Sequence, residues 1–289
     1  MNSSKFSRPK CACIWMNEWA AMKNRKIQSW LLVLPALIAL GAGYLFPLGI
    51  ALYKSFFAGM NTNFVGFTNY TDLLGNYAFG LALRNLLRLW CIIIPLNLVL
   101  GVLLAVLCVE AAESWLRLAF FFPGILPAAC VVMMATEGAS LLGWEDTWTF
   151  DEESALVWLA IVLWKTLGYT VLICAAFLEF IPKEIIDAAK LDGAGFLQCL
   201  FRVRLPLIAR GLGLCVILVI FNGYRCFREA YLIGGEYPHE ELYSLQNFLQ
   251  NNFSNMNYAR LEAASILAVL VVFAVGLLMV ALWKGMQRR

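Results

Sequence analysis

Four stretches of this chain run without a single Asp, Glu, Lys or Arg: Ile27–Tyr53, Leu89–Val109, Leu118–Thr136 and Ala263–Trp283. A helix needs roughly 20 mostly apolar residues to cross a bilayer, and each stretch reaches about that length. Two more are interrupted once: Ser154–Leu178 by Lys165, and Leu205–Tyr224 by Arg210 near its start. In hydrocarbon every backbone N–H and C=O must be satisfied internally, so only helices and closed barrels cross. Barrel strands alternate polar and apolar residues over about 10 positions, and none of these stretches does. The expectation is an all-α integral membrane protein with six transmembrane helices, at about residues 30–53, 88–109, 118–136, 155–178, 206–227 and 263–283. Residues 1–29 then form a basic, amphipathic N-terminal segment and residues 284–289 a basic tail.

Composition excludes other classes. The chain is 62% hydrophobic and 14% charged, against roughly half and about a quarter in a soluble domain. A soluble globule of this size has no means of hiding so much apolar surface. That rules out a water-soluble enzyme, a disordered tail and a disulfide scaffold. The net charge is +3 with no dense Lys/Arg patch, so no nucleic-acid partner is expected. Cys91, Cys108, Cys130, Cys174 and Cys215 sit inside apolar runs, where Cys acts as a small hydrophobe. Cys11-x-Cys13 is a lone pair without further ligands, a weak metal candidate. A single histidine, His239, leaves no His-based metal or catalytic set.

Lys and Arg set the orientation. With both termini inside, fifteen of them fall on the inner face and six on the outer, Lys165 lying within a span. Both termini are therefore expected in the cytoplasm. Glu145, Asp146, Asp151, Glu152 and Glu153 crowd one outer loop. Residues 16–30 mix Trp and Met with basic residues, the pattern of a segment lying along the inner surface. Pro35, Pro47, Pro95, Pro123 and Pro127 punctuate the spans and predict local kinks.

The most informative stretch is an inner loop, residues 181–206, IPKEIIDAAKLDGAGFLQCLFRVRLP. Pro182 suits the first position of a helix. Glu184 complements the dipole of the first turn and Lys190 that of the last. Gly193 supplies a left-handed stop. A helix over Pro182–Asp192 is predicted, then a second short helix with Phe196, Leu197, Leu200 and Phe201 on one face. Pro206 opens the fifth span. The result is a helix–Gly–helix elbow on the cytoplasmic face.

Asp187-Ala188-Ala189, three residues, Gly193, nine residues, Val203-x-Leu205-Pro206 resembles the EAA loop of bacterial binding-protein-dependent ABC importer permeases. That family carries Glu-Ala-Ala, three residues, Gly, nine residues, Ile-x-Leu-Pro. Asp187 replaces Glu and Val203 replaces Ile. Asn63–Tyr70 (NFVGFTNY) resembles the FVGxxNY segment after the first span of sugar permeases of the maltose and glycerol-phosphate type, and favours the first of their two permease partners. Gly234-Gly235-Glu236-Tyr237-Pro238 resembles the Gly-rich turn of their last outer loop. Asn257–Ser265 resembles, more loosely, their approach to the final span.

The resemblance implies a MetI-like ABC-importer permease fold in a bacterial plasma membrane. It implies a second permease subunit, making a heterodimer, two cytoplasmic ABC ATPase subunits and an extracytoplasmic solute-binding protein that delivers a sugar. The EAA loop would be the coupling helix, with Asp187, Ala188, Ala189, Asp192, Gly193, Leu205 and Pro206 as the coupling residues. The chain has no Gly-Lys-Ser/Thr phosphate loop, so ATP and Mg would sit on the partner subunits and no cofactor on this chain. Two alternatives remain: an ion-coupled secondary carrier, and an ABC permease for a non-sugar solute. Ion-coupled carriers commonly bury Asp or Glu in mid-span, whereas here Glu179 and Glu262 lie only at span edges.

Polar groups facing lipid are costly, so those within spans should face the bundle or a water-filled cavity. Trp164, Lys165 and Tyr169 in the fourth span, with Asn222, Tyr224 and Arg225 in the fifth, are the candidate substrate path. Trp164 and Tyr169 are candidates for stacking on sugar faces and Asn222 for exchanging hydrogen bonds with hydroxyls. The alternative reading is an interhelical hydrogen bond for Asn97 and Thr170 and snorkelling to the outer interface for Arg225. Lys165 lies too deep to snorkel; it should pair with an acid of a partner subunit or line the cavity.

Overall fold

The computed structural model describes residues 30–58, 63–111, 114–141 and 153–287. The Cys11/Cys13 pair, residues 16–29 and the outer-loop acids Glu145, Asp146, Asp151 and Glu152 lie outside them. The chain divides into two compact units, Met1–Lys54 and Ser55–Arg289.

The described part of the first unit is one helix, α1 (Trp30–Lys54). Nearly all its side chains are exposed, as suits a helix apolar all round whose solvent is lipid. A π-helical turn spans Gly41–Leu45, with Phe46 N–H donating to the Gly41 carbonyl. It ends two positions before Pro47, whose ring clashes with the carbonyl four residues back in a regular helix. The widened turn relieves that clash.

The second unit holds α2 (Thr68–Leu74), α3 (Tyr77–Glu110), α4 (Ser114–Ile125), α5 (Ala128–Leu141), α6 (Glu153–Glu179), α7 (Lys183–Leu191), α8 (Phe196–Cys199), α9 (Ala209–Arg225), α10 (Phe227–Gly234), α11 (Leu245–Ser254) and α12 (Tyr258–Gln287). Among the described residues the extended backbone amounts to a single bridge, Phe57 to Phe64. Together, α1, α3, α6, α9–α10 and α12 provide five helices long and apolar enough to cross a membrane.

The expected third span, 118–136, is broken. Its two halves, α4 and α5, meet at 99° across Leu126 and Pro127. Proline has no N–H to continue the ladder, and it pushes the preceding residue out of the helical region. Taken as one broken span, the bent pair brings the candidate crossings from five to six. The fifth span is also shifted. Pro206 lies in a single turn, Leu205–Leu207, and the long helix starts only at Ala209. It kinks at Cys226 and continues to Gly234.

Helices approach closely where the sequence places small residues. A Cβ on Gly168 of α6 would lie 2.6 Å from the Phe120 carbonyl oxygen and 2.8 Å from Phe121 Cα of α4. One on Gly101 of α3 would collide with Thr170 of α6. Beside that contact, fully buried Asn97 donates to Thr166 Oγ1 at 2.7 Å and accepts from Thr170 Oγ1. One apolar cluster lies toward the outer side of this polar layer, around Trp90, Ile93, Trp158, Val162 and Ile220. The other lies toward the inner side, around Val106, Val171, Cys174, Ile208 and Cys215.

The segment after α1 shows why NFVGFTNY is written as it is. Gly66 takes φ +59°, a conformation open to Gly and costly for other residues. The turn lets Asn69 Nδ2 donate to the carbonyls of Ser55 at 2.7 Å and Phe57 at 2.9 Å. Tyr70 and Ser55 share a hydroxyl–hydroxyl bond of 2.6 Å.

Candidate functional site

The break between α4 and α5 opens one wall of a cavity of about 480 Å³. Gly124, Leu126 and Pro127 come from the break, Lys165, Thr166 and Tyr169 from α6, and Asn222 and Arg225 from α9. Arg228 and Glu229 come from α10. Helical spacing explains the selection. Lys165 and Tyr169 are four apart on α6 and share a face, and Asn222 and Arg225 are three apart on α9, while the kink at Cys226 brings Arg228 and Glu229 of α10 to the same wall. Gly124 admits the wall of α6, since a Cβ there would stand 3.3 Å from both the Lys165 carbonyl oxygen and the Tyr169 hydroxyl.

Lys165, Tyr169, Asn222 and Arg225 of the sequence-derived path thus meet in one cavity. Trp164 and Tyr224 do not. Trp164 is 39% exposed and stands outside the lining, because one residue along a helix turns the side chain about 100° away. Tyr224 faces a narrow crevice with Trp158, Tyr243 and Gln246, two positions round from Asn222.

Lys165 has a partner in its own chain. Its Nζ donates to Glu229 Oε1, the side chains being 16% and 5% exposed. This replaces the expectation of an acid from another subunit. It also revises the view that acids stay at span edges: Glu229 is buried beyond the kink at Cys226, in a helix that turns against α5 and α6. The carboxylate is matched by an ammonium, unlike the free mid-span acid of an ion-coupled site. Trp158 Nε1 donates to the Cys226 carbonyl at 3.1 Å, satisfying a group the kink would otherwise orphan.

The inner elbow is built by local rules. Helix α7 has Pro182 as its N-cap, one position before the expected first turn, with Glu184 and Lys190 at opposite ends. At its end Gly193 N–H donates to the Lys190 carbonyl and Ala194 N–H to the Ala189 carbonyl, both at 3.0 Å. With Gly193 at φ +82°, this is a Schellman stop. No α7 residue is buried. Asp187, Ala188, Asp192, Gly193 and Pro206 are exposed, whereas Ala189 and Leu205 are half-buried. The second helix departs from its expected single face. Cys199 and Leu200 turn inward, while Phe196, Leu197 and Phe201 are 50%, 63% and 64% exposed. The helix is one turn long before a π-helical turn, Leu200–Arg204, and the widened turn rotates the following side chains.

Ile181, Leu200 and Ile208 anchor the elbow in the inner core. Arg204, with a side chain 9% exposed, pairs with Glu110 at the end of α3 at 2.7 Å. Arg117 of α4 pairs with Glu179 at the end of α6 at 2.5 Å. The elbow is therefore fixed to the ends of the spans while its outer face stays uncovered.

Residues 97–289 match the family model described as the binding-protein-dependent transport system inner membrane component. The chain belongs to this family. It is a multi-pass inner-membrane permease, and the match takes in both the cavity and the elbow. Over 93% of its length it is 27% identical to the sulfoquinovosyl glycerol transport system permease protein SmoG of Agrobacterium fabrum, covering 93% of that protein. It is 26% identical over 88% of its length to the probable starch degradation products transport system permease protein AmyD of Thermoanaerobacterium thermosulfurigenes, covering 92% of it. A chain of the crystal structure of a bacterial ABC transporter importing the acidic polysaccharide alginate superposes with a TM-score of 0.75 and 18% identity. That superposition covers 93% of the permease and 98% of the alginate transporter chain and shows a shared fold.

Proposed function

We propose that the permease is one of two non-catalytic, channel-forming subunits of an ATP-driven importer. A sugar or oligosaccharide, delivered by an extracytoplasmic binding protein, is its cargo. The relatives named for sulfoquinovosyl glycerol and starch degradation products support a carbohydrate. Two cytoplasmic ATPase subunits, holding ATP and Mg, supply the energy, and a second permease of different sequence completes the channel.

The observation that carries this reading is the elbow. An exposed helix with an Ala pair, stopped by Gly193 and joined through Arg204 to α3 and through Ile208 to α9, is a seat for a moving partner. Ala188 and Ala189 let another backbone approach, and Asp187 offers a carboxylate to a basic group. Closure of the ATPases around nucleotide then tilts α9 as a rigid body, a two-state movement. Purification from native membranes followed by identification of what accompanies the chain tests it. An ATPase subunit and a second permease are expected in constant ratio; ATP-independent uptake in vesicles, with neither subunit present, would overturn the reading.

A further inference from the structure

The charges on the cavity wall do not balance. Lys165 and Glu229 neutralise each other, which leaves Arg225 and Arg228, both exposed on the wall. Among the described residues no carboxylate lies within 4.0 Å of either guanidinium, although four other cation–acid pairs form. The two arginines flank the kink at Cys226, at the extracytoplasmic end of the fifth span, where cargo arrives.

We propose that the cavity takes a sugar bearing an acidic group, a carboxylate, sulfonate or phosphate, with Arg225 and Arg228 receiving that group. This rests on the reading of the chain as an importer permease. A guanidinium is a planar fork that holds such oxygens bidentately. With no carboxylate of the described residues within 4.0 Å of either guanidinium, an incoming anion meets no competing acid there. Across the cavity the Tyr169 hydroxyl, and on the arginines' own wall the Asn222 side-chain oxygen, are left for sugar hydroxyls, the Asn222 Nδ2 being committed to the Leu218 carbonyl at 2.9 Å. The wall is poorly suited to stacking of a neutral ring. Trp164 points elsewhere, Tyr169 packs edge-on against Phe121 at 5.5 Å, and Phe227 leans on Tyr231 at 5.5 Å.

The test reconstitutes the complete importer with its binding protein. ATP-driven uptake is compared within matched pairs, a glucuronate-, sulfate- or phosphate-bearing sugar against its neutral parent. At least one acidic member should be taken up ten or more times faster than its parent. In Arg225→Gln/Arg228→Gln that ratio should fall at least tenfold, and in Arg225→Lys/Arg228→Lys it should largely return. The binding protein is identical in all samples, so a changed ratio belongs to the permease. Equal uptake of both members, an unchanged ratio in the Gln variant, or an equal fall of both members would each overturn the proposal. Anionic lipid headgroups present the same chemistry, so the series is repeated in phosphatidylcholine alone. A ratio that needs phosphatidylglycerol assigns the arginines to lipid and also overturns it. Binding-protein-stimulated ATP hydrolysis separates the two levels: if it persists while selectivity fails, only this proposal falls, and if it is absent the importer reading falls too.

Discussion

Replacing Lys165 by Met keeps side-chain length, removes the charge and leaves the Glu229 carboxylate stranded. Breaking a buried ion pair from one side costs about 3–5 kcal/mol, because the remaining charge is uncompensated. Glu229 is 5% exposed, so water does little to relieve it and the loss should reach about 3 kcal/mol. Glu229→Gln strands Lys165 instead, whose side chain is 16% exposed and borders the cavity. Partial hydration should hold that loss to about 1–3 kcal/mol. The double variant removes both charges and should return to within about 1 kcal/mol of the parent, since exchanging a whole buried pair is often neutral. Thermal unfolding followed with a thiol-reactive dye suits this protein. Cys108, Cys174, Cys199, Cys215 and Cys226 are buried and report opening, while exposed Cys91 and Cys130, together with Cys11 and Cys13, are first replaced by Ala. The expected order of stability is parent, double variant, Glu229→Gln, Lys165→Met. A double variant less stable than either single, or Lys165→Met as stable as the parent, would refute the argument. Unchanged uptake and substrate preference in Lys165→Met would show that the pair, though structural, takes no part in the path.

Three further outcomes are expected. Gly168→Val should destabilise the helix pair by about 1–3 kcal/mol or more, because the Phe120 and Phe121 backbone stands where the side chain would go; proteolysis of the purified permease reads this, and wild-type resistance would contradict the close approach. A Cβ at Gly193 would meet no atom within 4 Å, so the main cost of Gly193→Val is the left-handed backbone, about 1–2 kcal/mol. The chain should insert and assemble while uptake falls, and Gly193→Asn should retain more uptake than Val; full transport by Val would sink the coupling role. Arg204→Met should leave the elbow in place but loosen it from α3, lowering uptake per ATP hydrolysed, and the same fall is expected from Glu110→Gln; wild-type coupling in both would remove the ion pair from the mechanism.

The elbow was legible because its rules are local. Pro182, Glu184, Lys190 and Gly193 define a helix and its stop within a dozen residues, and the observed helix, Lys183–Leu191, is shorter than the expected one by one residue at each end. Asn97 and Thr170 were legible for a similar reason, since a polar side chain in mid-span must find another across the bundle. The bend between α4 and α5 was half legible. Pro123 and Pro127 announced a kink, but its size of 99° depends on the walls that α6 and α10 offer.

Glu229 was the residue that sequence reasoning missed, and the reason is geometric. The apolar run of the fifth span loses its clarity at Arg225, so Arg228 and Glu229 read as an outer loop. What returns them to the membrane is a turn at Cys226, whose backbone adopts φ −76° and ψ +27°. The usual sequence markers of a bend, Pro and Gly, are missing at that position. The signal that did exist lay 64 positions away: a lysine halfway along a span requires an anion or water. Hydrophobic periodicity reports which side chains leave lipid, and charge demands a partner, but neither carries the partner's address. The rotation of α6 about its axis, together with one kinked turn, selects Glu229 and leaves Arg225 and Arg228 facing the cavity with no carboxylate of the described residues beside them.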